Sequence, residues 1–454
     1  MTRGEIERLL PRANSQALEE QAINDNNSRS TANGYNETAS YVIARLKEAG
    51  SCDVTTQEFK VPVWTQLGDA KLELNTYDDN ENLRYGGENA TLENKEILYI
   101  PKGGCGVEKD DADVGSKIAI IETTEGCDLF QTAYALEQAG AAAVLVSTPK
   151  GAKKPSWARV RIVEWKEGDP LMSIPVLSIT HSTFQTIMAA KNARLDLETN
   201  AKIDIHTTSN IICEGKLGAR NSTIVVGAHL DSVAAGPGIN DNGSGAASIL
   251  EIFLTLSRSR YIPKNRLVFA WWGSEEDGLL GSRHFVRTLL EDQTNNPKLS
   301  TLNTTWSHIA MNLNFDMLGS PNYIPMIHNG SDAPGAARLG SEYIQSRFEH
   351  FFQTTHQPYK LTPMIAGSDF LPFTANGIPS GGCLTGASEI KTAEEAKTFG
   401  GMANAQLDPC YHQACDNLVN VNFSALNIMS TAALNMIIEF SSEKRLRRQL
   451  VPVI

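Results

Sequence analysis

The chain has 454 residues, 41% of them hydrophobic and 20% charged, with a formal net charge of −12. That length exceeds one ordinary core and implies two domains, and the composition is that of a globular protein. The acidic balance, with no basic stripe through the body, excludes nucleic acid as the main partner. The short basic tail 443–448 reads as a solvated helix end.

The first residues, MTRGEIERLLPRAN, lack the apolar centre of a signal peptide. No run of about 18 apolar residues predicts a membrane span. Eight N-x-S/T sequons, at Asn26, Asn36, Asn89, Asn221, Asn242, Asn303, Asn329 and Asn422, favour the secretory route. The expectation is a glycosylated monomer, extracellular or vacuolar, whose signal is missing from this sequence. Seven cysteines are an odd number. Cys410 with Cys415, and Cys105 with Cys127, have spacings that could close. Cys52, Cys213 and Cys383 receive no partner.

In chain order, residues 35–50 place Tyr41, Val42 and Leu46 at helical spacing and end on Gly50. A strand follows at 53–64, then short alternating strands at 70–77 and 94–101. From Lys117 the order is strand 117–124, helix 127–140 and strand 141–148, then strand 173–180 and helix 181–191. These form a small α/β insert over 64–199. The second half alternates strand 221–231, helix 245–259, strand 265–274, helix 281–292 and strand 307–318. Strands at 323–329 and 380–386 and a helix at 424–440 complete it. Such alternation predicts an α/β three-layer sandwich, with a mostly parallel mixed sheet between helices, built from 1–63 and 200–454.

The stretch GAHLDSVAAGPGINDNGSG (227–245) gathers His229, Asp231, Asp241 and Asn242 among five glycines, just after the apolar run TIVV. His229 and Asp231 are two apart on a strand end and share a face, so Asp231 can orient the imidazole. The glycines allow a sharp turn before Asp241. The next strand ends in Glu275 and Glu276, and the one after in Asp316. Open α/β sheets place their sites at these carboxyl ends. His412 in DPCYHQACD, inside the Cys410–Cys415 pair, is a further candidate. Two histidines and several carboxylates suit zinc, and five ligands with one bridging carboxylate make a two-metal site. The spacing alone does not say which of Glu275 and Glu276 ligates.

These segments, with WWGSEEDGLLGS, NFDMLGS, GSDFLPFTANGIPSGG and FGGMANAQLDPCYHQACDNL, resemble the M28 zinc aminopeptidases. The similarity covers nearly the whole chain after Asn24, and the insert resembles a protease-associated (PA) domain. The resemblance implies two Zn²⁺ per chain. His229 and Asp316 would hold one, Glu276 and His412 the other, and Asp241 would bridge both. It implies Glu275 as general base, Asp231 as the residue orienting His229, and Tyr411 facing the oxyanion. Glu275, Asp316 and Tyr411 would bind substrate. It also implies a cis Asp241–Asn242 peptide. The expected activity is release of single N-terminal residues, Leu-like and apolar, from peptide substrates. One departure is Gly367, which stands where many relatives carry an arginine held to grip substrate. Two rival readings are a single-zinc acyltransferase of the glutaminyl cyclase class and an inactive peptidase-fold binding protein. The full ligand set argues against both. In the insert, expected to act as a lid or rim, Trp157, Glu164 and Trp165 are candidates for touching substrate.

Overall fold

The computed structural model describes residues 11–73, 80–106, 114–122, 128–152, 165–190, 192–295, 302–364 and 367–450. The chain divides into two compact units. One comprises residues 1–59 and 207–454; the other is the continuous segment 60–206. The expected boundaries at Trp64 and Thr199 fall inside two 22-residue strands, Cys52–Glu73 and Arg194–Gly215. The chain therefore passes between units in extended structure rather than in a linker.

In the larger unit the strand order is Lys360–Thr362, Met326–His328, Ser380–Leu384, Ile309–Phe315, Ala219–His229, Asn265–Trp272, and then the end of Arg194–Gly215. The middle four are parallel to one another. The flanking pairs, Met326–His328 on Ser380–Leu384 and Arg194–Gly215 on Asn265–Trp272, are antiparallel. The parallel strands are apolar on both faces because both are covered. Ile224, Val226 and Ala228 enter one core with Phe253, Phe348 and Met429. Val225 and Val268 enter the other with Phe285 and Phe373. Among the described residues two long helices went unread in the sequence, Arg12–Asn24 and Arg338–Thr354. The second buries Ile344, Phe348 and Phe352, a four-residue repeat that could have found it.

The helix Phe423–Ser442 is long and apolar enough in average composition to cross a membrane, although it holds no unbroken run of 18 apolar residues. Alanines and serines dilute its apolar run. Leu426, Met429, Ala433 and Ile437 pack it into the core instead.

In the smaller unit, the strands Ala90–Tyr99, Ile118–Glu122, Ala143–Ser147 and Val176–Ile179 lie side by side and parallel. The helix Leu129–Gln138 begins where Asp128 accepts the Gln131 N–H, and His181–Ala189 begins where Thr180 accepts the Thr183 N–H. Trp165 is buried and donates its indole N–H to Asp169 O at 3.1 Å, so it is not the exposed side chain the sequence suggested. The Lys166–Asp169 turn folds back over it. Trp157 and Glu164 lie outside the described residues.

Cys410 and Cys415 form a disulfide. Cys105 is also disulfide-bonded, and Cys127 lies outside the described residues. Cys383 is free and buried in the strand Ser380–Leu384, and burial pushes its thiol well above the ordinary range. Cys52 is bonded to Cys213 across a sequence separation of 161 residues, with Cα atoms 5.4 Å apart. A long closed loop is where a cross-link restricts the unfolded chain most. Cys52→Ser with Cys213→Ser is expected to lower stability by about 2–5 kcal/mol. Denaturant unfolding beside the intact protein measures it.

Candidate metal centre

His229 ends one parallel strand, and Glu275 and Glu276 follow the turn after its neighbour, the strand ending at Trp272. Asp316 follows Phe315 on the strand to the other side. Asp241 stands in the glycine-rich turn before the helix Gly245–Arg258, and its peptide to Asn242 is cis. His412 comes from the disulfide-closed loop, with positive φ and its ring stacked on Tyr411 at 3.8 Å.

These side chains form two clusters of possible metal ligands: His229, Glu275 and Asp316, and Asp241, Glu276 and His412. Asp241 faces both. Its Oδ1 is 3.3 Å from His229 Nε2, and its Oδ2 is 3.1 Å from His412 Nε2. Asp316 Oδ1 lies 3.4 Å from His229 Nε2, and Glu276 Oε2 lies 3.2 Å from His412 Nε2. Tetrahedral ligands about 2.0–2.1 Å from a zinc ion stand about 3.4 Å from one another. Glu275 Oε2 is further out, 3.9 Å from His229 Nε2. Asp316 Oδ1 accepts no hydrogen bond among the described residues. A buried carboxylate oxygen without a donor is costly and fits a cation.

The electrostatics say the same. Burial opposes charge on both imidazoles, yet the carboxylates around them outweigh it. Asp316 and Glu275 hold His229 well above its ordinary pKa, and Glu276 and Asp241 raise His412 to about 11. Burial, then repulsion from Glu276, Asp369 and Asp316, raises Glu275 well above a normal carboxylate. Burial also raises the Tyr411 phenol, helped by Asp241 and Glu276, so Tyr411 remains an O–H donor. Protons on two histidines here do the work that cations can do, and metal binding displaces such protons.

Asp231 has a wider task than the sequence reading gave it. His229 Nδ1 lies 3.2 Å from the Asp231 backbone carbonyl and 3.7 Å from its carboxylate. The carboxylate accepts the backbone N–H groups of Glu275 and Glu276, at 3.0 and 3.1 Å, and so fixes the turn that carries both glutamates.

Several supporting residues escaped the sequence reading. Asp416 accepts the backbone N–H groups of Asn240 and Asp241, and Asp408 accepts from Asn240 Nδ2 and from Cys410 N. The signal was present, since both aspartates flank the cysteine pair in DPCYHQACD. Asn242 is buried; it donates to Phe315 O and accepts from Met317 N, which holds the backbone on either side of Asp316. Its sequon is inaccessible. Ser368 donates to Asp316 Oδ2 at 2.7 Å. Gly367 has φ +89° and open space where a side chain would begin.

The model of peptidase family M28 matches residues 210–437. An aminopeptidase of Pseudomonas aeruginosa is 33% identical over 436 residues, covering 92% of this chain and 78% of its own. A probable leucine aminopeptidase 2 of Aspergillus fumigatus is 34% identical over 402 residues, covering 88% of this chain and 76% of its own. The fold is similar to that of BSAP, a zinc aminopeptidase from Bacillus subtilis, with a TM-score of 0.62, 19% identity and 96% of each chain covered. The chain belongs to peptidase family M28.

Proposed function

We propose that the protein is a two-zinc aminopeptidase that releases single, apolar N-terminal residues from peptides. The observation that carries this is Asp241, whose two oxygens face separate ligand clusters at 3.3 and 3.1 Å from the two imidazoles. Imidazole and carboxylate donors without thiolate suit zinc. His229 and Asp316 would hold one ion, Glu276 and His412 the other, and Asp241 would bridge. When bound, the ions would lower the pKa of water and polarise the scissile carbonyl.

The remaining steps belong to the protein's own residues. Glu275, set back from the close ligand shell, takes the proton of the attacking water and delivers it to the leaving amine. Asp231 keeps Glu275 and Glu276 in register. Tyr411 donates its O–H to the oxygen that gains charge. Glu275 and Asp316 accept from the substrate's free α-ammonium. The name leucine aminopeptidase on the fungal relative favours a Leu-like first residue. Gly367 offers no cation, so hold on substrate is weaker at that point, which raises KM more than it lowers kcat. The smaller unit's parallel sheet is consistent with a PA domain, and the disulfides and sequons with secretion.

The test is metal analysis of purified protein alongside turnover of leucine p-nitroanilide. The expected result is two zinc ions per chain, inactivation by a strong chelator, and recovery on adding zinc or cobalt. One ion per chain, or full activity in chelator, overturns the two-metal reading.

A further inference from the structure

We propose that Arg29 is the positioning residue of this centre, the side chain that sets how far apart His229 and Asp241 are held. The proposal rests on the two-metal reading above. Arg29 is fully buried. Its guanidinium is spread over one short loop, the one joining His229 to Asp241. Nε donates to Pro237 O at 2.7 Å, Nη2 to Gly238 O at 2.5 Å, and Nη1 to Leu230 O. Leu230 directly follows His229, and Gly238 stands three residues before Asp241. One rigid fork thus ties both ends of the loop.

The backbone around Arg29 extends the tie. Arg29 N donates to Ser232 Oγ at 2.9 Å, and Ser232 N donates back to Arg29 O at 3.3 Å. Two residues on, Thr31 Oγ1 donates to Ser274 Oγ, which in turn donates to Asp277. The segment Ser28–Thr31 therefore braces the loop of His229 and Asp241 and also the turn of Glu275 and Glu276.

The loop packs tightly on itself above the guanidinium, and two glycines permit that. Gly238 has φ +58°, and a side chain there would run into Asp241 O and Ser232 Cβ. A Cβ on Gly243 would stand 3.0 Å from Gly238 O and in ordinary contact, 3.4 Å, with Arg29 Nη2.

An ordinary buried arginine behaves differently. Arg266, also buried, pairs with Glu214 at 3.3 Å and donates to Thr304 and Gly215 at the opposite end of its strand from the glutamates. Arg29 makes no ion pair among the described residues. Burial disfavours its charge, and the nearby carboxylates of Asp231, Asp416, Asp241 and Glu276 favour it without pairing with it. A lysine cannot reproduce the contact, because an ammonium is a point donor and three carbonyls must be met by a planar fork.

The test compares Arg29→Lys and Arg29→Gln with Arg266→Met, a control that also disturbs a buried guanidinium. Amide hydrogen exchange across 229–244 is followed in chelator-treated protein, and zinc affinity is measured by competition with a chromophoric chelator. Arg29→Lys and Arg29→Gln are expected to speed exchange in 230–242 and to weaken zinc binding about 10–100-fold, the usual effect of losing an outer support. Arg266→Met is expected to lose stability with neither effect. If Arg29→Gln yields no folded protein, Arg29→Lys decides. Arg29 variants that lose stability but keep native exchange in the loop and native zinc affinity overturn the proposal. An intact protein that binds no zinc overturns the two-metal reading instead, and the exchange comparison still decides the role of Arg29.

Discussion

Glu275→Gln is expected to lower kcat by about 10²–10⁴-fold while the fold and both metals are kept, the usual share of a general base. Glu276→Gln is expected to lose a metal ion. The two residues are adjacent, and Asp231 holds the N–H of each. What separates them is reach. Glu276 Oε2 is 3.2 Å from His412 Nε2, a spacing at which both can touch one ion, whereas Glu275 Oε2 is 3.9 Å from His229 Nε2. An amide at 275 keeps the size of the side chain but cannot take a proton. An amide at 276 removes the charge that balances a cation. Measuring kcat together with metal content for both variants separates the roles. If Glu275→Gln sheds zinc and Glu276→Gln keeps it, the two assignments are exchanged.

Much of the centre was legible because its residues sit where sequence pattern is strongest. The strands TIVVGAH, LVFAWW and IAMNLNF are buried on both faces, so each appears as a largely apolar run, broken in the third by Asn312 and Asn314, that ends at or just before a candidate ligand. His412 was found through its cysteines. The residues that hold these groups in place were harder to see. Arg29 is far from the loop in sequence, and its guanidinium meets the loop through backbone carbonyls, which carry no sequence signature. Asp408 and Asp416 flank the visible cysteine pair, but the groups they hold at Asn240 and Asp241, backbone N–H groups and the Asn240 amide, lie far off in sequence. The Cys52–Cys213 pairing depends on two long strands, of which the pattern showed part of the first at 53–64 but not the second, since the polar alternation of TNAKIDIHTTSN resembles an exposed loop. Trp165 was misjudged because a lone tryptophan among charges reads as exposed, whereas a turn closing on Asp169 buries it.

Leucine p-nitroanilide is expected to be cleaved and acetyl-leucine p-nitroanilide left intact, with kcat/KM lower by about 10⁴-fold or more. The reason is charge. Five carboxylates, on Asp231, Asp241, Glu275, Glu276 and Asp316, lie on or beside the two clusters and are buried or nearly so. Two divalent ions do not neutralise all of them, and Arg29 lies beneath the loop rather than in the cleft. Glu275 and Asp316 therefore retain acceptor capacity toward substrate, and a free α-ammonium supplies both the donors and the charge. An acetylated nitrogen supplies one neutral N–H and adds bulk. A site built to hydrogen-bond a substrate group rejects the analogue lacking it by about 10⁴–10⁵-fold, because its own polar groups are left unpaired. Leucine, phenylalanine, lysine and acetyl-leucine p-nitroanilides assayed side by side read both the amine requirement and the side-chain preference. Comparable turnover of the acetylated compound would mean that the carboxylates do not read the amine, and the enzyme would then be an endopeptidase or acyl hydrolase on the same metal centre.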